Sequence, residues 1–134
     1  MHNIKEKHIF DNAMVSGNAE VSGNVMVCDN AMVSGNAEVS GNAMVSGNAL
    51  IKKSADILIV GPALSSGRYT TAHKDSLIGV RINTGCFSGS LDEFKLAIET
   101  THKDSPQALK QYRSFVRLFE EHFEDTLKQA HSTV

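Results

Sequence analysis

From Ile9 onward an aliphatic residue returns at every sixth position: Val15, Val21, Val27, Val33, Val39, Val45, Ile51 and Ile57. Two places before each of these later residues sits a small apolar one, Ala13, Ala19, Val25, Ala31, Ala37, Ala43, Ala49 and Ala55. Ser-Gly-Asn, or a relic of it such as Cys28-Asp29-Asn30, fills the gap. Few folds accept a fixed period of this length. Six is neither the helical period nor plain alternation, and self-similarity at a constant interval marks a solenoid. Within Ala-x-Val-Ser the Ala and Val side chains point one way and x and Ser the other. Each hexad is therefore a short strand followed by a corner, where Gly-Asn accommodates positive φ.

The run VSGNAEVSGNAMVSGNA resembles the hexapeptide repeat of left-handed parallel β-helices. The resemblance implies a triangular prism with three strands to a coil and eighteen residues per coil. It also supplies the left hand, against the usual crossover preference. Eight hexads then make fewer than three coils, a rod about 13 Å tall at about 4.8 Å between stacked strands.

On such a prism the outward x positions stack face by face. One face carries Met14, Met32 and Leu50; the next carries Glu20, Glu38 and Asp56. The third carries His8, Met26 and Met44, with Phe10 and Cys28 beside them. Methionine is unusual at a solvated position, and apolar ladders on adjacent faces mark buried contacts. A homotrimer would bury two faces of each prism and leave the acidic one in water, with Met14, Met26, Met32, Met44 and Leu50 at its interfaces. The alternative is that the C-terminal segment folds back over one methionine ladder. Residues 1–8 are polar and are expected to cap the open bottom of the prism, whose first strands would otherwise expose pairing edges.

The repeat runs out at Ile57-Leu58-Ile59-Val60, a continuous apolar run that predicts a strand buried on both sides. Gly61-Pro62 stops it. The expected organisation is a cap over 1–8, the repeat rod over 9–60 and a small α+β module over 61–134, giving a mainly β chain. In the module, Arg68–His73 and Ile78–Asn83 predict the two strands of a hairpin. Ile78, Val80 and Ile82 share one face of the return strand, and Arg81 and Asn83 share the other. A loop is expected over 84–89. Ser90 and Glu93 form a capping box for a helix whose inner side carries Leu91, Phe94, Ala97, Ile98 and Thr101. Ser105-Pro106 opens a second helix with a stripe of Leu109, Tyr112, Val116, Phe119, Phe123 and Leu127, an amphipathic spacing.

Charge and cysteine content limit the chemistry. The net charge is −2, so no bulk field attracts a nucleic-acid polymer. Residues 9–50 hold Asp11, Glu20, Asp29 and Glu38 and no Lys or Arg, so an anionic ligand belongs with the C-terminal part. Cys28 and Cys86 form no disulfide framework and no metal-ligand spacing, which suits a reducing cytoplasm. The amino terminus has no signal-peptide pattern and no apolar run reaches membrane-spanning length. Between His8 and His73 there is no histidine, so the rod lacks the groove histidine that hexapeptide acyltransferases use, and it is too short to line an acyl-CoA tunnel. A zinc site would need three histidines on neighbouring faces, whereas His102, His122 and His131 are scattered over the helices. Cys86 with His73 has the chemistry of a nucleophile and base, but nothing in the spacing brings them together. No catalytic set, metal or cofactor is expected.

A second stretch, GCFSGSLDEFKLAIETTHKDS, together with the hairpin before it, is similar to the C-terminal module of small phage and prophage proteins. That resemblance implies no particular activity. The strongest binding cluster is the hairpin, where Arg68, Tyr69, His73, Lys74, Arg81 and Asn83 offer cations, an aromatic face and an amide. Its plain alternative is a solvated hairpin with ordinary surface charges. The expectation is a trimeric, non-enzymatic module, such as a phage-encoded sponge for a small anionic nucleotide-like signal of bacterial defence. A structural or assembly protein is the second expectation, and a hexapeptide transferase the third.

Overall fold

The computed structural model describes residues 9–85 and 87–132, with side chains described as far as Gln129. The expected cap over 1–8, His8 and Cys86 lie outside the described residues, as does the side chain of His131.

The hexads form two-residue strands: β1 (Met14–Val15), β2 (Glu20–Val21), β3 (Met26–Val27), β4 (Met32–Val33), β5 (Glu38–Val39), β6 (Met44–Val45) and β7 (Leu50–Ile51). They pair in parallel in the expected register, Met14 with Met32 and Met32 with Leu50, Glu20 with Glu38, and Met26 with Met44. Three small parallel sheets result, β1-β4-β7, β2-β5 and β3-β6. The rod interior is Ala, Val and Ile alone, and from Ala19 to Ile51 none of these inward residues is more than 2% exposed. Small side chains are needed because the walls of so thin a prism stand close together. The corners hold themselves in stacks. Asn12 donates to Asn30, Asn18 to Asn36 and Asn24 to Asn42, at 3.4, 3.2 and 3.2 Å. At one corner Asp11 and Asp29 take the place of glycine at φ 59° and 57°, a conformation that Asp tolerates better than most residues. Each Asp side chain then accepts the amide one coil above, Asp11 from Asp29 at 3.2 Å and Asp29 from Gly47 at 2.8 Å.

Parallel pairing ends at Ile51. Asp56, expected on the acidic outer face, is instead buried in a 3-10 turn over Ser54–Asp56. Its Oδ2 accepts from the amides of Lys52 at 2.9 Å and Lys53 at 3.2 Å, which have no further coil to bond. β8 (Ile57–Val60) therefore leaves the rod's ladders and pairs antiparallel with β9 (Thr70–Asp75). The rod boundary expected at residue 60 runs past this change of direction. β8, expected to be buried on both sides, has contacts on both faces, but only Ile57 is buried and Leu58, Ile59 and Val60 are half-buried. Ile57 and Ile59 pack on the rod interior, while Leu58 and Val60 pack on the second core.

β9, β10 (Gly79–Thr84) and β11 (Phe87–Ser90) complete a four-stranded antiparallel sheet of order β11-β10-β9-β8. The stretch expected as a loop over 84–89 contributes most of β11. Gly85, at φ 54°, makes the turn so tight that Thr84 already pairs with Phe87. The helices are α1 (Leu91–Thr101), α2 (Pro106–His122) and α3 (Glu124–Ser132). The capping box forms: Ser90 Oγ accepts from Glu93 N at 3.1 Å, and Glu93 accepts from Ser90 N at 2.9 Å. Ser105 caps α2, and Pro106 takes its first turn. The single long helix expected after Ser105 breaks at Phe123, which is buried, and the break keeps the stripe against the sheet as far as Leu127. Leu91, Phe94, Ile98, Tyr112, Val116 and Phe119 pack with Ala72, Val80 and Ile82 from the helix-facing side of the sheet.

Candidate functional site

The other face of the sheet meets the last coil of the rod, and the reason lies in main-chain bonding. Lower in the rod alternate amides donate to a carbonyl one coil above: Met26 to Ala43 at 3.1 Å, Cys28 to Val45 at 2.9 Å, Asn30 to Gly47 at 3.0 Å. The corresponding amides of the last coil have no coil above them. Met44 N donates to Thr71 Oγ1 at 3.0 Å, Ser46 N to His73 Nε2 at 3.4 Å and Asn48 N to Asp75 Oδ2 at 3.1 Å. Alternate side chains of β9 thus stand where the carbonyls of another coil would be. Unpaired buried amides are costly, and this row of acceptors removes the cost.

His73 is wholly buried in this seam. Its Nδ1 lies 3.0 Å from the carbonyl of Lys74. A carbonyl only accepts, so Nδ1 carries the hydrogen and Nε2 is left as the acceptor. Burial holds the imidazole below its ordinary pKa, with Arg81 adding to the effect and the Lys74 carbonyl and Asp75 opposing it. Asn83 locks the arrangement. Its Nδ2 lies 3.2 Å from His73 Nε2 and donates to Met44 O at 2.9 Å, and its Oδ1 accepts from Ser46 Oγ at 3.0 Å. Asp75 accepts from Leu77 N at 2.9 Å, Ile78 N at 3.1 Å and Arg81 Nε at 2.8 Å. Burial pushes its carboxyl upward, but Arg81 and these amides outweigh burial and hold it below the usual range.

The six residues expected at a ligand site therefore divide. His73 and Asn83 are buried in the seam. Arg81 is spent on Asp75 and on Ser88 Oγ at 3.0 Å, and Lys74 lies 3.2 Å from Asp56. Arg68 and Tyr69 remain exposed. Among the described residues, nothing makes a hydrogen bond or ion pair with the Arg68 guanidinium.

Two hollows meet at Arg68 and Thr84. One is a cleft of about 260 Å³ between the β10–β11 turn and the first two helices, walled by Phe87, Phe94, Ile98, His102 and Tyr112. The other, also about 260 Å³, opens toward the rod beside Asn42, Met44 and Tyr69. Neither is lined by Asp or Glu. The His102 ring lies stacked on Tyr112 with centroids 4.7 Å apart, and Phe94 meets Tyr112 edge-on at 6.3 Å. Sequence reasoning missed this cleft, because its walls come from β11, α1 and α2 and the local pattern marks the same aromatics as core. It also missed Thr71 and Asp75 as seam residues. Their signal was present in the polar alternation Thr71, His73, Asp75 along an otherwise buried strand.

On the rod, Met14, Met26 and Met32 are 58%, 43% and 45% exposed, while Met44 and Leu50 at the top of their ladders are half-buried. The module sits on the end of the rod and leaves the lower rungs of both ladders uncovered. Cys28 is half-buried; burial, then Asp29 and Asp11, raise its thiol pKa, which makes it a poor nucleophile. The carboxylates of Asp11 and Asp29 and the Cys28 sulfur lie within 4.8 Å of one another, but both carboxylates already accept main-chain amides. His122 is tied to the rod's end, its Nε2 2.8 Å from Ala55 O.

A family model described as the YdcK β-solenoid repeat matches residues 37–52, the stretch holding β5, β6 and β7. The match agrees with a rod built from stacked repeats. No curated protein and no solved structure matches the chain. Among the described residues, no helix is long and apolar enough to cross a membrane.

Proposed function

We propose that this chain is a non-enzymatic binding module that assembles as a homotrimer through its rod and holds a small anionic, nucleotide-like ligand with its C-terminal module. One observation carries the assembly: Met14 and Met32 stand in register on one face of the rod, both largely in water. Stacked large apolar side chains left exposed are an association surface. Three-fold closure takes two faces of each rod and leaves the Glu20–Glu38 face solvated. The Arg68 guanidinium, which has no hydrogen-bond or ion-pair partner among the described residues and lies beside Tyr69 at hollows lined by no Asp or Glu, supports the anionic ligand. The hexapeptide pattern supports left-handed winding. The resemblance of GCFSGSLDEF to phage modules supports a phage-encoded sponge that removes a defence signal in the host cytoplasm.

Light scattering tests the assembly. Wild type should have the mass of three chains, Met14→Glu with Met32→Glu should fall to one chain, and Glu20→Gln with Glu38→Gln should not. A charge forced into an apolar contact without a partner is costly. A wild-type monomer, or a methionine double variant at trimer mass, overturns the assembly.

A second reading, a structural or assembly protein, is favoured by one observation: His73, Asn83, Arg81 and Lys74 are all committed to internal partners. Calorimetry of wild type against linear and cyclic nucleotides separates the two. Heat of binding from any member supports the first reading, and silence across the panel supports the second.

A further inference from the structure

We infer that the ligand is a planar aromatic ring bearing a phosphate, with the phosphate on Arg68 and the ring in the cleft between the β10–β11 turn and the first two helices. The inference rests on the binding half of the proposed function and goes further by naming the ligand's parts and where each lies.

Two cations of the sheet are paired with carboxylates, Arg81 with Asp75 and Lys74 with Asp56. Arg68 has no such partner among the described residues, and it lies where two hollows free of carboxylates join. Its guanidinium lies over the Gly85 backbone, where a Cβ would stand 2.4 Å from Nη1. An unpaired guanidinium presents a planar fork of N–H groups to an oxyanion, and phosphate matches that fork with two oxygens.

The cleft determines the rest of the ligand. Its open walls are the half-buried rings of Phe87 and His102, and its floor is the edges of the buried Phe94, Ile98 and Tyr112. Phe87 and His102 offer a flat partner stacked and edge-on contacts that an open aliphatic chain cannot match. Tyr112 Oη lies 3.3 Å from Ser66 Oγ, so a hydroxyl pair meets the heteroatoms of a ring that is not wholly apolar. At about 260 Å³ the cleft falls below the range of about 300–1,000 Å³ common for whole drug-sized ligands. It has room for one ring system, and the charged group must then lie outside it, at Arg68.

The test is calorimetry on the full chain with adenosine 5′-monophosphate, adenosine and inorganic phosphate as probes. The nucleotide should bind, and each half alone should bind at least about tenfold more weakly. Arg68→Gln should weaken the nucleotide by about tenfold or more through the lost fork. Thr101→Trp, which fills the cleft from its exposed helical rim, should do the same. Circular dichroism and light scattering should show both variants folded and at wild-type mass. If nucleotide binding is lost in Arg68→Gln but unchanged in Thr101→Trp, the anion site stands and the ring placement is overturned. Adenosine binding as tightly as its monophosphate overturns the role of Arg68. Silence from the mononucleotide together with a response from cyclic or dinucleotide members overturns this ligand class while leaving the binding module standing. Silence from every nucleotide overturns both.

Discussion

The rod and the module solve the problem of burial in opposite ways. The rod's interior holds only Ala, Val and Ile, and its strands are two residues long. It gains regularity from main-chain ladders and stacked corners, each rung repeating the one below. The module buries Phe, Tyr, Leu and Ile in one irregular cluster that no repeat could generate. A ladder has an inherent weakness at its end, because the last coil leaves a row of amides with nowhere to donate. The module supplies what the rod cannot repeat, with β9 offering Thr71, His73 and Asp75 to those amides. The two regions are thus joined by a sheet face that serves as the complement of a missing coil.

The comparison breaks most completely inside the rod. Val33 lies at the centre of the β1-β4-β7 ladder and is fully buried. Val33→Asp places a carboxylate among Ala and Val side chains with no group to pair it, and such a charge costs more than a small domain can spare. The expected outcome is loss of soluble protein, scored by expression and circular dichroism. A folded Val33→Asp would mean that repetition, not the apolar interior, holds the rod.

The next largest effect is expected at the seam. Asp75 has a fully buried side chain and carries the Arg81 pair together with the Asn48, Leu77 and Ile78 amides. Removing one partner of a buried pair costs about 3–5 kcal/mol, so Asp75→Ala should lower stability by about that amount in denaturant titration. Rod and module should still unfold together. Two separate transitions in the wild type, or a loss below about 1 kcal/mol in the variant, would show that the seam does not couple them.

The sequence shows the rod almost completely because its signal is local and repeated. Periodic Val and Ala fix the register, and Ser-Gly-Asn fixes the corners. The capping box at Ser90 and the stripe from Leu109 to Leu127 are legible for the same reason, since their partners lie within a few residues. Asp56 was misplaced on an outer face because its hexad spacing continues the pattern after the pairing has stopped. β11 is not legible as a strand because Phe87–Ser90 shows no apolar alternation and acquires strand geometry only from β10. The candidate site was half visible. Its residues lie close together in sequence, but the competing demand of the last coil's amides is a tertiary fact. It draws His73, Asn83 and Arg81 inward and leaves Arg68 and Tyr69 outside.

The smallest expected effect sharpens the comparison by pH. Neutral His73 accepts the Ser46 amide at Nε2, and a proton there would face both that N–H and the Asn83 amide group. Burial lowers its pKa in the folded chain, so the unfolded chain takes up the proton more readily. Stability from this contact is whole above the ordinary histidine value of about 6.5 and declines as pH falls below it toward the folded pKa. Asp75 does not interfere: its carboxyl is held below the usual range, so its contribution is lost only in more acidic solution. Between pH 7.5 and 5 the chain should lose up to about 2 kcal/mol through the seam, the limit for one proton at about 1.36 kcal/mol per pH unit below about 6.5. His73→Gln keeps an acceptor on the strand but does not titrate, so its stability curve should be flatter over the same interval. The difference between the two curves removes the contribution of every other histidine. Parallel curves for wild type and His73→Gln would mean that Nε2 does not hold the last coil, and the seam would then depend on Thr71 and Asp75 alone.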